Sequence, residues 1–135
     1  MFPLELDMSE YPLVLVTITS ELDAQAVHEE FNRIEEALRQ TSGPYVMVTV
    51  TSGRLISADT RVAIGERVER FFDEFNERHL LSIVVIKSSI ARMMVKGAML
   101  LVRSKSKVKL VESLSSARKM ANETLDSFEK VPFNM

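Results

Sequence analysis

The run Tyr45–Val50 constrains the fold of this chain more than any other feature, because apolar residues fill almost every position in it. A strand that is apolar on both faces needs a cover on both sides, as in a parallel sheet packed between helices. Three more segments have strand length and a β-branched or aliphatic composition, namely Leu13–Thr19, Leu80–Ile86 and Val108–Val111. Leu4–Asp7 alternates apolar and acidic residues, which predicts an edge strand that forms a hairpin with the next one.

The segments between these strands carry apolar residues at helical spacing. Asp23 is placed to cap the first helix, and the pattern predicts a narrow buried stripe with four glutamates facing water. The stripe is Val27, Phe31, Ile34 and Leu38, and the glutamates are Glu29, Glu30, Glu35 and Glu36. Gly43 and Pro44 are predicted to stop the chain from continuing this helix.

Three further helices are predicted from the same periodicity. The second is marked by Ile64, Val68, Phe71, Phe72 and Phe75, and we expect it to end near His79. The third runs from about Ile90 to Arg103, with Ser88 or Ser89 as its cap. The fourth is capped by Ser113 and places Leu114, Ala117, Ala121, Leu125 and Phe128 on one face.

Strands that alternate with helices predict an α/β fold, with a mainly parallel sheet of about five strands, one antiparallel edge and four packed helices. The 135 residues suit a single domain over residues 1–135. Cysteine is absent, which excludes disulfides, thiol catalysis and Cys-based metal sites. The first residues do not have the pattern of a signal peptide, and no apolar run reaches the ~18 residues that a membrane span needs. We therefore expect a cytoplasmic protein.

Three stretches of the chain, Tyr11–Val16, Ile86–Arg92 and Val111–Ala117, resemble bacterial proteins of the STAS-like fold. That fold is named for anti-sigma-factor antagonists and sulfate-transporter tails, and it is related to CRAL-TRIO-like lipid-transfer domains. The resemblance implies a regulatory protein-interaction module, or alternatively a carrier or sensor of a small apolar or lipid-like ligand.

In anti-sigma-factor antagonists, a kinase phosphorylates a serine at the start of the second helix. The resemblance places Ala58 at that position, and no glycine follows the motif. We therefore expect that this chain lacks the phosphorylation switch of that family, although the hydroxyls of Ser57 and Thr60 lie nearby in the sequence.

The loop Thr51–Ala58 leaves the carboxyl end of a predicted parallel strand, which is the side where open α/β sheets bind ligands. Backbone N–H groups at the start of the second helix are suited to an anion, with help from a nearby arginine. The alternative is that Ser57 or Asp59 only caps the helix and that the arginines are solvated. The candidate residues are Arg54, Ser57, Asp59, Thr60 and Arg61.

The third helix is more apolar than a helix packed on a sheet needs to be. Its charged residues fall within an arc of about 40° at 100° per residue, and almost all the rest is apolar. Either neighbouring elements cover this surface, or it faces a second subunit, a small apolar ligand or a membrane. The candidate interaction residues are Arg92, Met93, Met94, Lys96, Met99, Leu101 and Arg103.

Charge separates this part of the chain from the rest. From Lys87 to Lys109 the sequence has seven basic residues and no acid, so the remainder holds all 19 acids and ten of the 17 bases, a net charge of −9. The cations of Arg103, Lys105, Lys107 and Lys109 are predicted to lie on the surface, where they would meet an acidic protein surface or anionic lipid. Flanking aromatic residues that would stack on bases are missing, so we do not expect nucleic-acid binding.

No pattern in the sequence predicts chemistry. The two histidines, His28 and His79, fall in different predicted helices, and their spacing does not suit a metal. We assign both to structural roles, with His79 as a cation in the last turn of the second helix. No nucleotide-binding or hydrolase motif occurs. The prediction is a non-enzymatic, self-associating module, a homodimer without metal or cofactor, and the alternative is a carrier of an apolar ligand.

Overall fold

The computed structural model of the chain describes residues 3–51, 57–98 and 107–129. These residues form five strands and four helices, in the alternating order that the sequence predicts. The elements are β1 (Leu4–Asp7), β2 (Leu13–Ile18), α1 (Ala24–Arg39), β3 (Tyr45–Val50), α2 (Ala58–Phe75), β4 (His79–Val85), α3 (Ser89–Ala98), β5 (Val108–Val111) and α4 (Leu114–Glu129).

The strands form one mixed sheet whose spatial order follows the chain, β1-β2-β3-β4-β5. The edge strand β1 is antiparallel to β2, and the remaining neighbours are parallel, which confirms the α/β prediction. One row of aligned residues crosses the parallel part from Val14 through Met47 and Ser82 to Val108. The chain therefore winds across the sheet in one direction.

Each face of the sheet carries its own hydrophobic core. On one face, Val14, Val16, Tyr45 and Met47 pack with residues of α1 and α2, including Ile34, Leu38, Phe71 and Phe75. On the other face, Val46, Val48, Ile83 and Val85 pack with Ala117 and Ala121 of α4. Strand β3 contributes to both cores with alternate residues, which explains why it is apolar at nearly every position.

Short polar side chains begin the four helices, as predicted. Asp23 Oδ1 accepts a hydrogen bond from the Ala26 backbone N–H at 2.7 Å, and Ser57 Oγ accepts one from Thr60 at 3.2 Å. Ser88 and Ser113 accept equivalent bonds, each at 3.2 Å. These caps satisfy backbone donors that the first helical turn leaves without partners.

The prediction that all four glutamates of α1 face water is wrong for two of them. Glu30 and Glu35 are 4% and 1% exposed. Glu35 is buried because Arg67 of α2 reaches it, with Nη2 3.1 Å from Glu35 Oε2. Glu30 pairs instead within its own helix, with 3.2 Å between its Oε2 and Arg33 Nη1. A carboxylate tolerates such burial only when a cation accompanies it.

His79 is also placed differently from the prediction. Helix α2 ends at Phe75, and His79 is the first residue of β4, fully buried. Its ring stands edge-on to three aromatic rings, those of Tyr45, Phe71 and Phe72, with centroids 4.9–5.5 Å away. Burial lowers the pKa of His79 to about 3, with a smaller contribution from Lys107, so the ring is neutral and is not a helix-terminal cation.

Candidate functional site

Helix α3 exposes apolar side chains to solvent along one face. Ile90, Met93 and Met94 are 71%, 73% and 53% exposed. Their spacing of i, i+3 and i+4 places them side by side, and we call these three residues the α3 stripe. Gly97 continues the same face one turn later, and a Cβ added there would meet no atom of another element within 4 Å. The sequence prediction of an excess apolar surface is thus confirmed for Met93 and Met94, whereas Met99, Leu101 and Arg103 lie outside the described residues.

The cations of this region take two different roles. Arg92 is half-buried and fixes the start of α3, because its Nη1 donates to the backbone oxygens of Ile86 at 2.7 Å and Lys87 at 3.1 Å. Lys87 and Lys96 are exposed. The α3 stripe is therefore accompanied by solvent-facing positive charge.

Lys107 was predicted to lie in a surface cluster of cations, and its position differs from that prediction. Its Nζ donates to the backbone oxygen of Asn76 at 2.6 Å, to Asn76 Oδ1 at 2.9 Å and to the backbone oxygen of His79 at 3.1 Å. Lys107 thus serves the end of α2, where a cation complements the helix dipole, instead of facing water. Lys109 is exposed on β5, and Lys105 lies outside the described residues.

At the predicted anion site at the start of α2, the hydroxyl groups of Ser57 and Thr60 form hydrogen bonds within the protein. Ser57 caps the helix and donates its hydroxyl proton to Thr60 Oγ1 at 2.9 Å, and Thr60 Oγ1 donates to the backbone oxygen of Leu22 at 3.2 Å. Thr60 is buried, whereas Asp59 and Arg61 are exposed. The geometry favours the capping interpretation. Arg54 lies outside the described residues.

A hydrogen-bonded chain of three side chains crosses the sheet next to α2. His79 Nε2 lies 2.6 Å from Ser82 Oγ, and His79 Nδ1 lies 2.8 Å from the Tyr45 hydroxyl, whose pKa is raised by burial. A serine next to an imidazole is the arrangement that nucleophilic catalysis uses. The pKa of about 3 makes this imidazole a poor proton acceptor at neutral pH. The hydrogen bonds among the three side chains are therefore better suited to satisfying buried polar groups than to catalysis.

A separate apolar cleft of about 260 Å³ lies at the edge of the sheet where β2 and β3 begin, opposite the edge where α2 and α3 start. Sequence reasoning missed it, because its walls come from three distant segments of the chain. The apolar walls are Tyr11, Pro12, Pro44, Leu125 and Phe128, and Ser42 and Gly43 complete the lining.

Comparison with protein-family models gives no match for this chain, and comparison with curated proteins gives none either. Within residues 3–51, 57–98 and 107–129, no group of three or more His, Asp or Glu side chains is arranged to hold a metal ion. Over the same residues, no helix has the length and apolar character that crossing a membrane requires.

Proposed function

We propose that this chain is a cytoplasmic, non-enzymatic protein-interaction module of STAS-like fold that self-associates through the α3 stripe. The observation that carries the proposal is the solvent exposure of Ile90, Met93 and Met94. Contiguous apolar side chains on a soluble domain are typical of a contact surface.

The exposure also discriminates between the two functions that the sequence leaves open. A carrier would direct these side chains into a cavity that holds its ligand, whereas a module would present them to another protein. The α3 stripe faces solvent, which favours the module. Methionine suits such a surface because its side chain is flexible and polarizable.

Charge favours a second copy of the chain as the partner. The residues described from 87 to 98 include Lys87, Arg92 and Lys96 and no acid. Exposed carboxylates lie on α1 and α2, among them Glu29, Glu36 and Glu66. The basic surroundings of one α3 stripe therefore match the acidic surface of another copy.

The small apolar area of the α3 stripe limits the strength of the association. Complete burial of an exposed Ile or Met side chain contributes roughly 1.5–3 kcal/mol, and association costs at least about 4 kcal/mol. The three side chains of the α3 stripe therefore support a weak dimer, which forms at high protein concentration and weakens as salt screens the charges.

Sedimentation velocity over a concentration series tests the proposal. We expect a monomer–dimer equilibrium that Met94→Glu shifts to monomer, because the new carboxylate would be buried in the contact. Asn122→Glu is the control, since Asn122 is exposed on α4 and lies outside both the α3 stripe and the acidic surface of α1 and α2. A wild-type protein that stays monomeric at the highest concentration, or equal effects of the two variants, would contradict the proposal.

A further inference from the structure

We infer that Met93 and Met94 form a reversible oxidation site, at which a peroxide converts the two thioethers to sulfoxides and so dissociates the dimer. The inference rests on the proposed self-association and adds the chemistry that would regulate it. Its first observation is exposure, since the side chains of Met93 and Met94 are largely open to solvent, at 73% and 53%. A small oxidant therefore reaches both sulfur atoms in the free monomer.

The reaction needs only the thioether and the peroxide. The chain offers the oxidant no thiol, because cysteine is absent and methionine supplies all the sulfur. A lone pair of the sulfur attacks one oxygen of hydrogen peroxide, and the S–O bond forms as the O–O bond breaks. The proton of the transferred hydroxyl passes to the departing hydroxide, which leaves as water, and sulfur has lost two electrons to the peroxide. A methionine sulfoxide reductase returns two electrons from a dithiol, which becomes a disulfide, and the oxygen leaves as water.

The other methionines in the described part of the chain are better protected by packing. Met47 is 8% exposed in the core beneath α1 and α2, and Met8 and Met120 are half-buried against the two cores. Susceptibility to oxidation follows exposure, so Met93 should react roughly nine times as fast as Met47, and Met94 roughly seven times as fast. The α3 stripe is therefore oxidised before the core.

A sulfoxide weakens the contact between two copies and leaves the fold of the monomer intact. Its S=O group is polar, so burying it against a second copy removes the water that it would otherwise bind. In the monomer the same group stays in solvent, because both side chains are exposed. We therefore expect the dissociation constant of the dimer to rise at least about tenfold on oxidation. The melting temperature at low protein concentration should stay unchanged.

Peptide mapping of the full chain measures the selectivity. Trypsin cleaves after Arg92 and Lys96, so the peptide 93–96 contains both methionines of the α3 stripe. Met47 is the only methionine in the peptide 40–54. After hydrogen peroxide treatment of the monomer, mass spectrometry should show the first peptide gaining oxygen severalfold faster than the second. In urea, where the chain is unfolded, the two rates should become similar. Equal rates in the folded protein would overturn the inference.

Sedimentation velocity then measures the effect on association. The control is Met93→Leu combined with Met94→Leu, which keeps the α3 stripe apolar and removes its sulfur. Peroxide should raise the dissociation constant of the wild type at least about tenfold and leave that of the variant unchanged. Treatment with a methionine sulfoxide reductase and a dithiol should restore the wild-type dimer.

The outcomes separate the oxidation site from the self-association on which it rests. A dimer that survives oxidation of Met93 and Met94 overturns the oxidation site and leaves the self-association standing. The same holds if peroxide dissociates the leucine variant as strongly as the wild type, because other methionines would then be responsible. A wild-type protein that is monomeric before oxidation overturns the self-association, and the proposed regulation with it.

Discussion

Helices α1 and α3 use amphipathic sequences in opposite ways. In α1 the carboxylate of Glu35 is 1% exposed, whereas in α3 the apolar side chain of Met93 is 73% exposed. The difference follows from the neighbours: α1 packs beside α2, whose Arg67 supplies a positive charge, and the α3 stripe faces away from the sheet. Hydropathy therefore does not decide burial by itself, because a partner can make a buried charge tolerable and the lack of a cover can expose an apolar face.

The largest expected effect tests the buried side of this comparison. Arg67 is 4% exposed, and it also donates to Asn32 Oδ1 at 2.7 Å and to the His28 backbone oxygen at 3.0 Å. Arg67→Met should lower the free energy of unfolding by about 3–5 kcal/mol, because it removes the buried partner of Glu35. Urea denaturation followed by circular dichroism measures the loss.

Two further variants show whether burial causes that effect. Arg118→Met removes an exposed ion pair with Glu10 and should cost less than about 1 kcal/mol. Combining Arg67→Met with Glu35→Leu should recover much of the stability, since the buried carboxylate, whose remaining ion pair is with the exposed Arg39 at 3.4 Å, is then absent. An Arg67→Met protein as stable as Arg118→Met would refute the assignment of Arg67 as a stabilising residue.

The buried imidazole gives the next largest effect, as a dependence of stability on pH. The pKa of His79 is about 3 in the fold and near 6.5 when the chain is unfolded, so the unfolded state binds the extra proton in between. The contribution of His79 to the free energy of unfolding is greatest above about pH 6.5. It falls as the pH drops, by about 2 kcal/mol between pH 6.5 and 4.5. His79→Gln should remove this part of the slope in urea titrations at several pH values. An unchanged slope would show that other groups cause it.

The exposed side of the comparison predicts a smaller effect on anionic membranes. Lys87 and Lys96 accompany the α3 stripe, and each should contribute at most about 1 kcal/mol to binding at an anionic surface. Lys87→Glu and Lys96→Glu should each weaken co-sedimentation with phosphatidylserine vesicles at low salt, whereas Lys119→Glu on α4 should have little effect. Binding that is equal on neutral vesicles would point to the α3 stripe instead of the charges.

The smallest expected effect is a gain in stability when alanine replaces either of two exposed glycines, Gly65 in α2 and Gly97 in α3. A Cβ added at either would meet no atom of another element within 4 Å. Gly65→Ala and Gly97→Ala should each stabilise the monomer by about 0.5–1 kcal/mol, through the helix preference of alanine. Thermal unfolding at low concentration measures this gain. A weaker dimer for Gly97→Ala alone would place the second copy against that turn of α3.

The sequence was most informative where one segment decides its own structure. The bounds of β3 and β5 and the four caps are as predicted, because alternation, chain-turning residues and capping side chains are local signals. Glu35 and His79 were mispredicted, because their burial depends on Arg67 and on rings from other elements. One signal for the buried pair was present: Arg67 interrupts the apolar spacing of α2 between Ile64 and Phe71.

The candidate surfaces follow the same division. Met93 and Met94 could be identified as excess apolar residues, because a helix has a fixed angular period. The cleft could not be foreseen, since Tyr11, Pro44 and Leu125 are far apart in the sequence and meet only through the sheet. The role of Lys107 was equally hidden, because its acceptors belong to the turn between α2 and β4.

The winding of the sheet has a consequence for how the protein is made on the ribosome. Each parallel strand pairs with the one synthesised before it, and α1 and α2 cover one face as the chain emerges. On the other face, within residues 3–51, 57–98 and 107–129, the helical residues that pack against Val46, Val48 and Ile83 belong to α4, which follows β5. During translation this apolar face therefore stays open until α4 has left the exit tunnel, and the nascent chain is most exposed to aggregation and to chaperone binding in that interval.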